Sequence, residues 1–320
     1  MVKKEATAKA AVNKVKEDVP ARKRKASKYK SFRLQKKIPH PAGHLPTIWR
    51  LIGKMRRLLL ENWKPILGIF LMYSVLNLVL VRNFSTPINV ADIKENLTNN
   101  FGSNVGKGTI AGAIIGAMFG TTTTMATETS ALYQVIILTI VSLALIWTFR
   151  QSSAGNRPTT KLAFYRGMYP LIPFLLILLV MAIQLLPATV GGMIFNFINS
   201  DQLAVGILEQ SIWLLLFLSL VLLSIYMVCS SVFALYIVTL PDMSPMLALR
   251  SARNLVFSRR FEILRKMLAI PLLVLLVLII VVVPSIYFLP VIAPWLYFLL
   301  ASFSIVVLHA YMFVIYRELL

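Results

Sequence analysis

Residues 267–316 read MLAIPLLVLLVLIIVVVPSIYFLPVIAPWLYFLLASFSIVVLHAYMFVIY, fifty residues without a single Asp, Glu, Lys or Arg. A helix needs about 20 apolar residues to cross the roughly 30 Å hydrocarbon core of a bilayer. The run therefore holds two spans, and Pro284, Pro290 and Pro294 predict a tight hairpin between them. A water-soluble domain of ordinary composition does not contain so long an uncharged stretch. We predict an integral membrane protein.

The rest of the chain supports this class, with a mean hydropathy of +0.76 and 58% hydrophobic residues. Four further apolar segments have the length of a span: 65–81, 131–149, 167–200 and 210–241. Pro170, Pro173 and Pro187, with a pair of adjacent glycines, predict an irregular start and end for the third span. The predicted fold is all-α, with about six transmembrane helices in a membrane domain over residues 65–320.

Charge is distributed unevenly along the chain. The formal net charge is +21, and residues 1–64 supply +15 of it from nineteen Lys or Arg and four acidic residues. Residues 1–46 contain the run RKRKASKYK and too little apolar surface to offset the entropy of ordering. We expect a disordered basic arm there, retained because the first apolar run begins too late for a cleaved signal peptide. Such an arm attracts polyanions generally, and no specific nucleic acid partner is predicted.

Residues 47–64 have the pattern of an amphipathic helix. Charged side chains recur at spacings of four, three and four, with apolar residues between them, and the members of this polar face are Arg50, Lys54, Arg57 and Glu61. We predict an interfacial helix on the inner leaflet that leads into the first span. Its basic residues Arg50, Lys54 and Arg57 are candidate contacts for anionic lipids or a partner.

The loops alternate between basic and nearly uncharged. Residues 150–166 and 242–266 are rich in Lys and Arg, whereas the loops after the third and fifth spans have none. Because cytoplasmic loops carry the excess of Lys and Arg, both basic loops belong with the basic N-terminus. Six spans in the plasma (inner) membrane with both termini cytoplasmic satisfy this rule.

One segment does not fit a six-span scheme simply. Glycines recur at an interval of four within KGTIAGAIIGAMFGTTTTMATE, at Gly108, Gly112, Gly116 and Gly120. On a helix they form a smooth ridge that lets another backbone approach closely, which predicts helix packing. The pattern favours a re-entrant or docked helix, with a seventh span and a soluble loop as alternatives. Packing within one subunit, a homo-oligomer contact and an opening through the membrane all remain compatible with the ridge.

The predicted spans contain few groups that could do chemistry. Ionisable residues at membrane depth are costly and mark functional sites when present, but here His309 is isolated from any acidic residue at helical spacing. We interpret His309 as a hydrogen-bonded packing residue. No catalytic or nucleotide-binding motif occurs, and we predict no catalytic residue, metal site, cofactor or enzymatic activity.

The basic loop before the fifth span contains a distinctive polar segment. Ser244 followed by Pro245 is a typical helix start, because serine caps the first amide groups and proline suits the first helical position. The candidate lipid or partner contacts in this segment are Arg250, Arg253, Arg259 and Arg260. An alternative is that these arginines only determine topology and extend their charges to the interface.

The string LPDMSPMLALRSARNLVFSRRFEILRKMLAIPLLVLL, over residues 240–276, resembles a signature of a broad group of bacterial integral membrane proteins. Some members form the membrane domain of glycerophosphodiester phosphodiesterases. The matching positions are Ser244, Pro245, Ala248, Leu249, Arg250, Ser251, Arg259 and Arg260. The resemblance covers about residues 160–320 and includes KLAFYRGMYPLIPFLLILL from Lys161, but no catalytic phosphodiesterase segment. It implies an architecture and not an activity.

These observations favour a non-enzymatic scaffold, accessory subunit or lipid-associated factor with a basic cytoplasmic surface. Its expected partners are anionic membrane lipids, with a protein partner or a homo-oligomer as alternatives. The competing hypothesis is a transporter or channel for small apolar or amphipathic solutes, in which the proline-rich third span and the glycine ridge form the pathway.

Overall fold

The computed structural model describes residues 45–82, 84, 128–200, 206–257 and 259–320. These residues form helices joined by short turns, with no strand among them. In chain order the helices are α1 (Ile48–Glu61), α2 (Trp63–Leu76), α3 (Glu128–Ser153), α4 (Thr160–Gly167), α5 (Leu171–Ser200), α6 (Ile207–Ile237), α7 (Pro245–Val256), α8 (Arg260–Phe288) and α9 (Ala293–Leu319).

Six segments of this part of the chain are long and apolar enough to cross a membrane. They are Trp63–Val81, Ser130–Ser153, Leu171–Ile198, Leu208–Ile237, Arg260–Phe288 and Ala293–Leu319. The first consists of α2 and the π-helical turn Asn77–Val81 that continues it. The predicted class, an all-α polytopic membrane protein, is confirmed.

The predicted amphipathic helix is α1, and it is separate from the first span. Its apolar face is buried at Leu51, Met55 and Leu58. Asn62 interrupts the helix, and its side-chain amide donates hydrogen bonds to the Leu58 carbonyl, at 3.0 Å, and to Ser152 Oγ of α3. The side chain thus binds one of the carbonyls left without a helical partner where α1 ends.

The third span differs from its prediction in one respect. Its start is irregular, because a turn at residues 168–170 separates α4 from α5, but its end is not: α5 continues as one helix through Pro187 to Ser200. The prediction of an irregular end is wrong. The amide of Ala188 beside this proline donates a hydrogen bond to the buried Ser224 Oγ of α6, at 3.1 Å, so the neighbouring span supplies a partner next to the proline.

The last two spans form the predicted hairpin. The turn covers residues 289–292, where the Leu289 amide donates to the Ser285 carbonyl at 2.8 Å. Pro284 lies inside α8, and Pro294 lies at the start of α9. Helix α8 begins at Arg260, seven residues before the uncharged run, so its first turns carry several charges.

Side-chain contacts bring six span ends together. Lys54 Nζ of α1 lies 2.6 Å from Glu318 Oε1 of α9, and Arg317 donates to Ser153 Oγ of α3 at 3.0 Å. Thr160 Oγ1 of α4 donates to the Pro65 carbonyl of α2 at 3.4 Å. Arg150 of α3 donates to the Tyr236 carbonyl at the end of α6, and Tyr311 of α9 donates to the Lys266 carbonyl near the start of α8. Because α4 leads into α5 and α7 connects α6 to α8, the starts of α2, α5 and α8 and the ends of α3, α6 and α9 share one end, together with α1, α4 and α7. We call this the basic end.

The packed core lies toward the basic end. Its largest fully buried side chains are Phe149 of α3, Phe174 of α5, Phe233 and Tyr236 of α6, and Tyr311 of α9. Buried residues make up 56% of the most apolar window of α3 and 50% of that of α9, but 11% for α5 and for α6. The α5–α6 hairpin therefore packs mainly against itself and leaves most of its apolar surface for lipid.

Candidate functional site

The described Lys and Arg residues, apart from Arg82, all lie at the basic end. They belong to α1, α4, α7 and the ends of the spans that these short helices adjoin. The candidate contact residues predicted from the sequence are therefore brought to one end of the structure, although they do not converge on one pocket. The candidate site is therefore a basic surface and not a pocket.

Helix α7 presents two of these arginines to solvent. Its start is as predicted: Ser244 Oγ accepts a hydrogen bond from the Leu247 amide at 3.3 Å, and Pro245 occupies the first helical position. Ala248 and Ala252 are fully buried on one face. Arg250 and Arg253 point away from that face and are exposed, with no ion pair among the described residues.

Arg259 and Arg260 are placed differently, at the junction between α7 and α8. The Arg260 guanidinium lies 4.7 Å from the ring centroid of Tyr226 on α6 and 5.8 Å from that of Phe257. A cation over aromatic rings gains about 0.5–2 kcal/mol, depending on how far it is desolvated. Arg259 and Arg260 are both half-buried. Arg260 therefore contributes to the contact between α6 and α8 more than to an open surface.

Helix α1 contributes three exposed arginines, Arg50, Arg56 and Arg57, and takes part in two ion pairs. Lys54 pairs with Glu318 at 2.6 Å, and Arg57 pairs with Glu61 at 2.7 Å. Such exposed pairs contribute about 0–1 kcal/mol each. Arg50 is exposed and makes no ion pair among the described residues. Of the three predicted contacts on α1, Arg50 is the one that keeps its charge uncompensated.

Helix α4 adds a basic element that the sequence analysis left out of the candidate contacts. Lys161 and Arg166 are exposed on it. Tyr165 and Tyr169, on α4 and in the turn that follows, are 85% and 91% exposed. The signal was present in the sequence, because Tyr165 stands between Lys161 and Arg166 and Tyr169 follows them, immediately before an apolar span.

Two other cations at the basic end have structural roles. Arg150 donates through Nη2 to the Tyr236 carbonyl, at 2.9 Å, and to Thr239 Oγ1, at 2.6 Å, and through Nη1 to the Thr239 carbonyl. It thereby binds carbonyls at the end of α6, where the helix dipole is negative. Lys266 is buried, with Nζ 2.5 Å from Glu262 Oε1 and 3.0 Å from the Leu45 carbonyl. Neither is available to an external anion.

A polar network links three spans around His309. Ser142 Oγ donates to the Leu138 carbonyl at 2.6 Å, so it accepts a hydrogen bond from His309 Nε2, at 2.8 Å. His309 Nδ1 then accepts from the hydroxyl of Tyr236, at 3.2 Å. A neutral imidazole satisfies every step of this chain. The hydrogen-bonded packing role predicted for His309 is confirmed in its hydrogen bonds, which connect α3, α6 and α9.

The opposite end is marked by Arg82, directly after the first span. Its guanidinium lies 5.6 Å from the ring centroid of Phe298 on α9. Burial lowers the pKa of Arg82, and the nearby Tyr297 and Tyr73 oppose this effect. An arginine stays protonated through such a shift. Arg82 therefore ends the span as predicted and packs against the first turns of α9.

Several predictions fall outside the described residues. These are the basic arm and the glycine ridge at Gly108, Gly112, Gly116 and Gly120. Within the described residues, no group of three or more His, Cys, Asp and Glu could hold a metal ion.

Comparison with models of protein families, with curated proteins and with solved structures gives no match. The resemblance of residues 160–320 to bacterial membrane domains thus stays a prediction. The class of protein follows from the fold alone, a helical polytopic membrane protein with a basic surface at one end.

Proposed function

We propose that this chain is a non-enzymatic membrane scaffold or lipid-associated factor whose basic end faces the cytoplasm and holds an anionic partner. One observation carries the proposal. Arg50, Arg250 and Arg253 are exposed at the same end of the structure, and none of them has an acidic partner among the described residues. A cation near an anionic membrane surface contributes about 1 kcal/mol of attraction. Several such cations on one face hold an anionic surface without needing a pocket.

The transporter hypothesis has less support. It depended on a broken third span and on the glycine ridge as the walls of a pathway. The third span is one continuous helix through Pro187, and the ridge lies outside the described residues. The polar groups of the His309 network, at span depth, are bonded to one another and to the Leu138 carbonyl. The scaffold hypothesis rests on exposed groups that have no such partners.

The proposal can be tested by lipid-dependent stability. The full chain is reconstituted in nanodiscs of phosphatidylcholine alone or with phosphatidylglycerol, and its thermal unfolding midpoint is measured. A ligand that binds the folded state raises its stability by mass action, so phosphatidylglycerol is expected to raise the midpoint. The double variant Arg250→Gln, Arg253→Gln is expected to lose most of this gain, about 2 kcal/mol for two charges.

The control variant removes two positive charges from positions of the basic end outside α7. Arg157 is exposed in the turn before α4, and Arg317 bonds to Ser153 at the end of α9. The double variant Arg157→Gln, Arg317→Gln is expected to keep more of the gain from phosphatidylglycerol than the α7 variant does, because neither residue lies on α1, α4 or α7. An unchanged midpoint of the native chain on adding phosphatidylglycerol contradicts the proposal.

A further inference from the structure

Exposed aromatic rings accompany the cations at the basic end. Helix α7 is followed by Phe257, and α8 has Phe261 as its second residue; they are 70% and 86% exposed. Tyr165, near the end of α4, and Tyr169, in the turn before α5, form a similar pair. Both pairs stand four residues apart, and each lies within a few residues of the start of a membrane span.

Exposed aromatic residues and a cation also lie together at the start of the first span. Trp49 on α1 is 78% exposed, and Trp63, the first residue of α2, is 57% exposed. The ammonium of Lys64 lies 5.7 Å from the Trp63 ring centroid. The three short helices thus share one arrangement, in which an exposed aromatic residue and a cation precede an apolar span.

Covalent continuity determines where these rings lie. The span that starts at Leu171 is apolar from its first residue, and α8 becomes uncharged after its first two turns, so the rings beside these starts lie near the boundary between lipid and water. Aromatic residues are enriched at this boundary. Fully exposing a Phe side chain to water instead of burying it costs about 1.5–3 kcal/mol. Phe257 and Phe261 therefore favour insertion over solvent.

We propose that α7 lies in the headgroup region of the inner leaflet, where Phe257 and Phe261 insert among the acyl chains while Arg250 and Arg253 bind the phosphates of anionic phospholipids. Helices α4 and α1 contact the same leaflet through Tyr165, Tyr169 and Trp49. This inference rests on the proposed function and specifies its partner as the lipid surface.

A leaflet fits the observations better than a protein does. The three aromatic and cationic elements belong to three different span starts, so a protein partner would need three matching apolar sites. A lipid surface meets all of them at once, because span starts at the same end of the protein lie at one membrane boundary. The charges of these elements also complement an anionic lipid surface, since the exposed cations on α7 and α4 have no acidic partner among the described residues.

Spin-label depth measurement tests the placement of α7 in the full chain. Cys229, the single cysteine, is replaced by serine, and single cysteines are introduced as Phe257→Cys, Phe261→Cys and Tyr165→Cys. The control is Asn156→Cys, at an exposed position in the turn after α3. Each labelled protein is reconstituted in nanodiscs containing phosphatidylglycerol, and its thermal midpoint verifies folding. Oxygen concentrates in lipid and a nickel chelate stays in water, so their ratio of accessibility reports depth.

We expect a severalfold higher ratio of oxygen to nickel accessibility at positions 257, 261 and 165 than at 156. Equal ratios at 257, 261 and 156 overturn the inference. Protection of the labels from both reagents also overturns it, because a protein surface then covers α7. These outcomes are separate from the stability test: a phosphatidylglycerol effect with water-exposed labels retains the proposed function and removes α7 as the inserted element.

Discussion

Arg150 connects two spans through its guanidinium group. It reaches both the Tyr236 carbonyl and the side chain of Thr239 beyond the end of α6. The planar guanidinium presents several donors in a fixed arrangement, whereas an ammonium is a compact charge. The guanidinium of Arg150 therefore stabilises the α3–α6 contact, and we propose that its charge also helps to orient the chain in the membrane.

Replacing Arg150 by lysine should separate these two roles. Arg150→Lys retains the positive charge but cannot bind the Tyr236 carbonyl and Thr239 together, so we expect it to cost about 2 kcal/mol, the size of a hydrogen bond to a charged group. The thermal unfolding midpoint in detergent micelles measures the loss. Arg157→Lys, at an exposed position, should leave the midpoint unchanged. A midpoint for Arg150→Lys equal to that of the native protein would refute the role assigned to this side chain.

Glycines let the helices of this domain approach closely. At Gly167, the last residue of α4, an added Cβ would lie 3.1 Å from the Leu143 carbonyl oxygen and 3.2 Å from the Ala144 Cα, both backbone atoms of α3. Backbone atoms in a buried helix do not move aside easily, so the α3–α4 contact depends on the missing side chain. At Gly192 in α5 the nearest atom would be Phe217 Cε2 at 3.5 Å, an ordinary contact.

The two glycines should respond differently to alanine. Gly167→Ala is expected to destabilise the domain by about 1–3 kcal/mol, as overpacking does. Gly192→Ala is expected to be neutral or to stabilise by up to about 1 kcal/mol, since alanine is the better helix former. Thermal midpoints of the two variants measured under the same conditions provide the comparison. If both variants shift equally, the close α3–α4 approach is not what makes Gly167 necessary.

The distribution of charge across the protein sets its orientation. Cations gather where α1, α4 and α7 lie, and among the described residues Arg82 is the exception at the opposite end. Translocating that many Lys and Arg is unfavourable, so the basic end is expected in the cytoplasm. The turn at residues 289–292 then faces the other side, and Val291 in this turn is 82% exposed.

Cysteine labelling tests this orientation. In a Cys229→Ser background, a membrane-impermeant maleimide added to intact cells should label Val291→Cys. It should label Arg157→Cys only after the cells are broken, because residue 157 lies in the turn between α3 and α4 at the basic end. Labelling of residue 157 from outside intact cells would reverse the topology and move the proposed lipid contacts to the other leaflet.

The span pattern, the helix start at Ser244 and the basic character of one end were predictable from residue order. Each depends on local properties: apolar length, the cap of a first helical turn, and the alternation of charged and uncharged loops. Arg250 and Arg253 could be nominated in this way because α7 has its own amphipathic period. The spacing of the aromatic pairs could also be seen in the sequence, but only the structure shows that their rings are exposed.

The partners of Arg150, Lys266, His309 and Ser224 could not be derived from residue order. Each side chain acts on a partner dozens of residues away on another helix, such as Lys266 on the Leu45 carbonyl and Ser224 on the Ala188 amide. The apolar faces of the six spans resemble one another. Between helices that already lie in lipid there is no hydrophobic driving force that would favour one pairing over another. Which spans adjoin is therefore settled by close packing and interhelical hydrogen bonds, and these exist only once the helices have assembled.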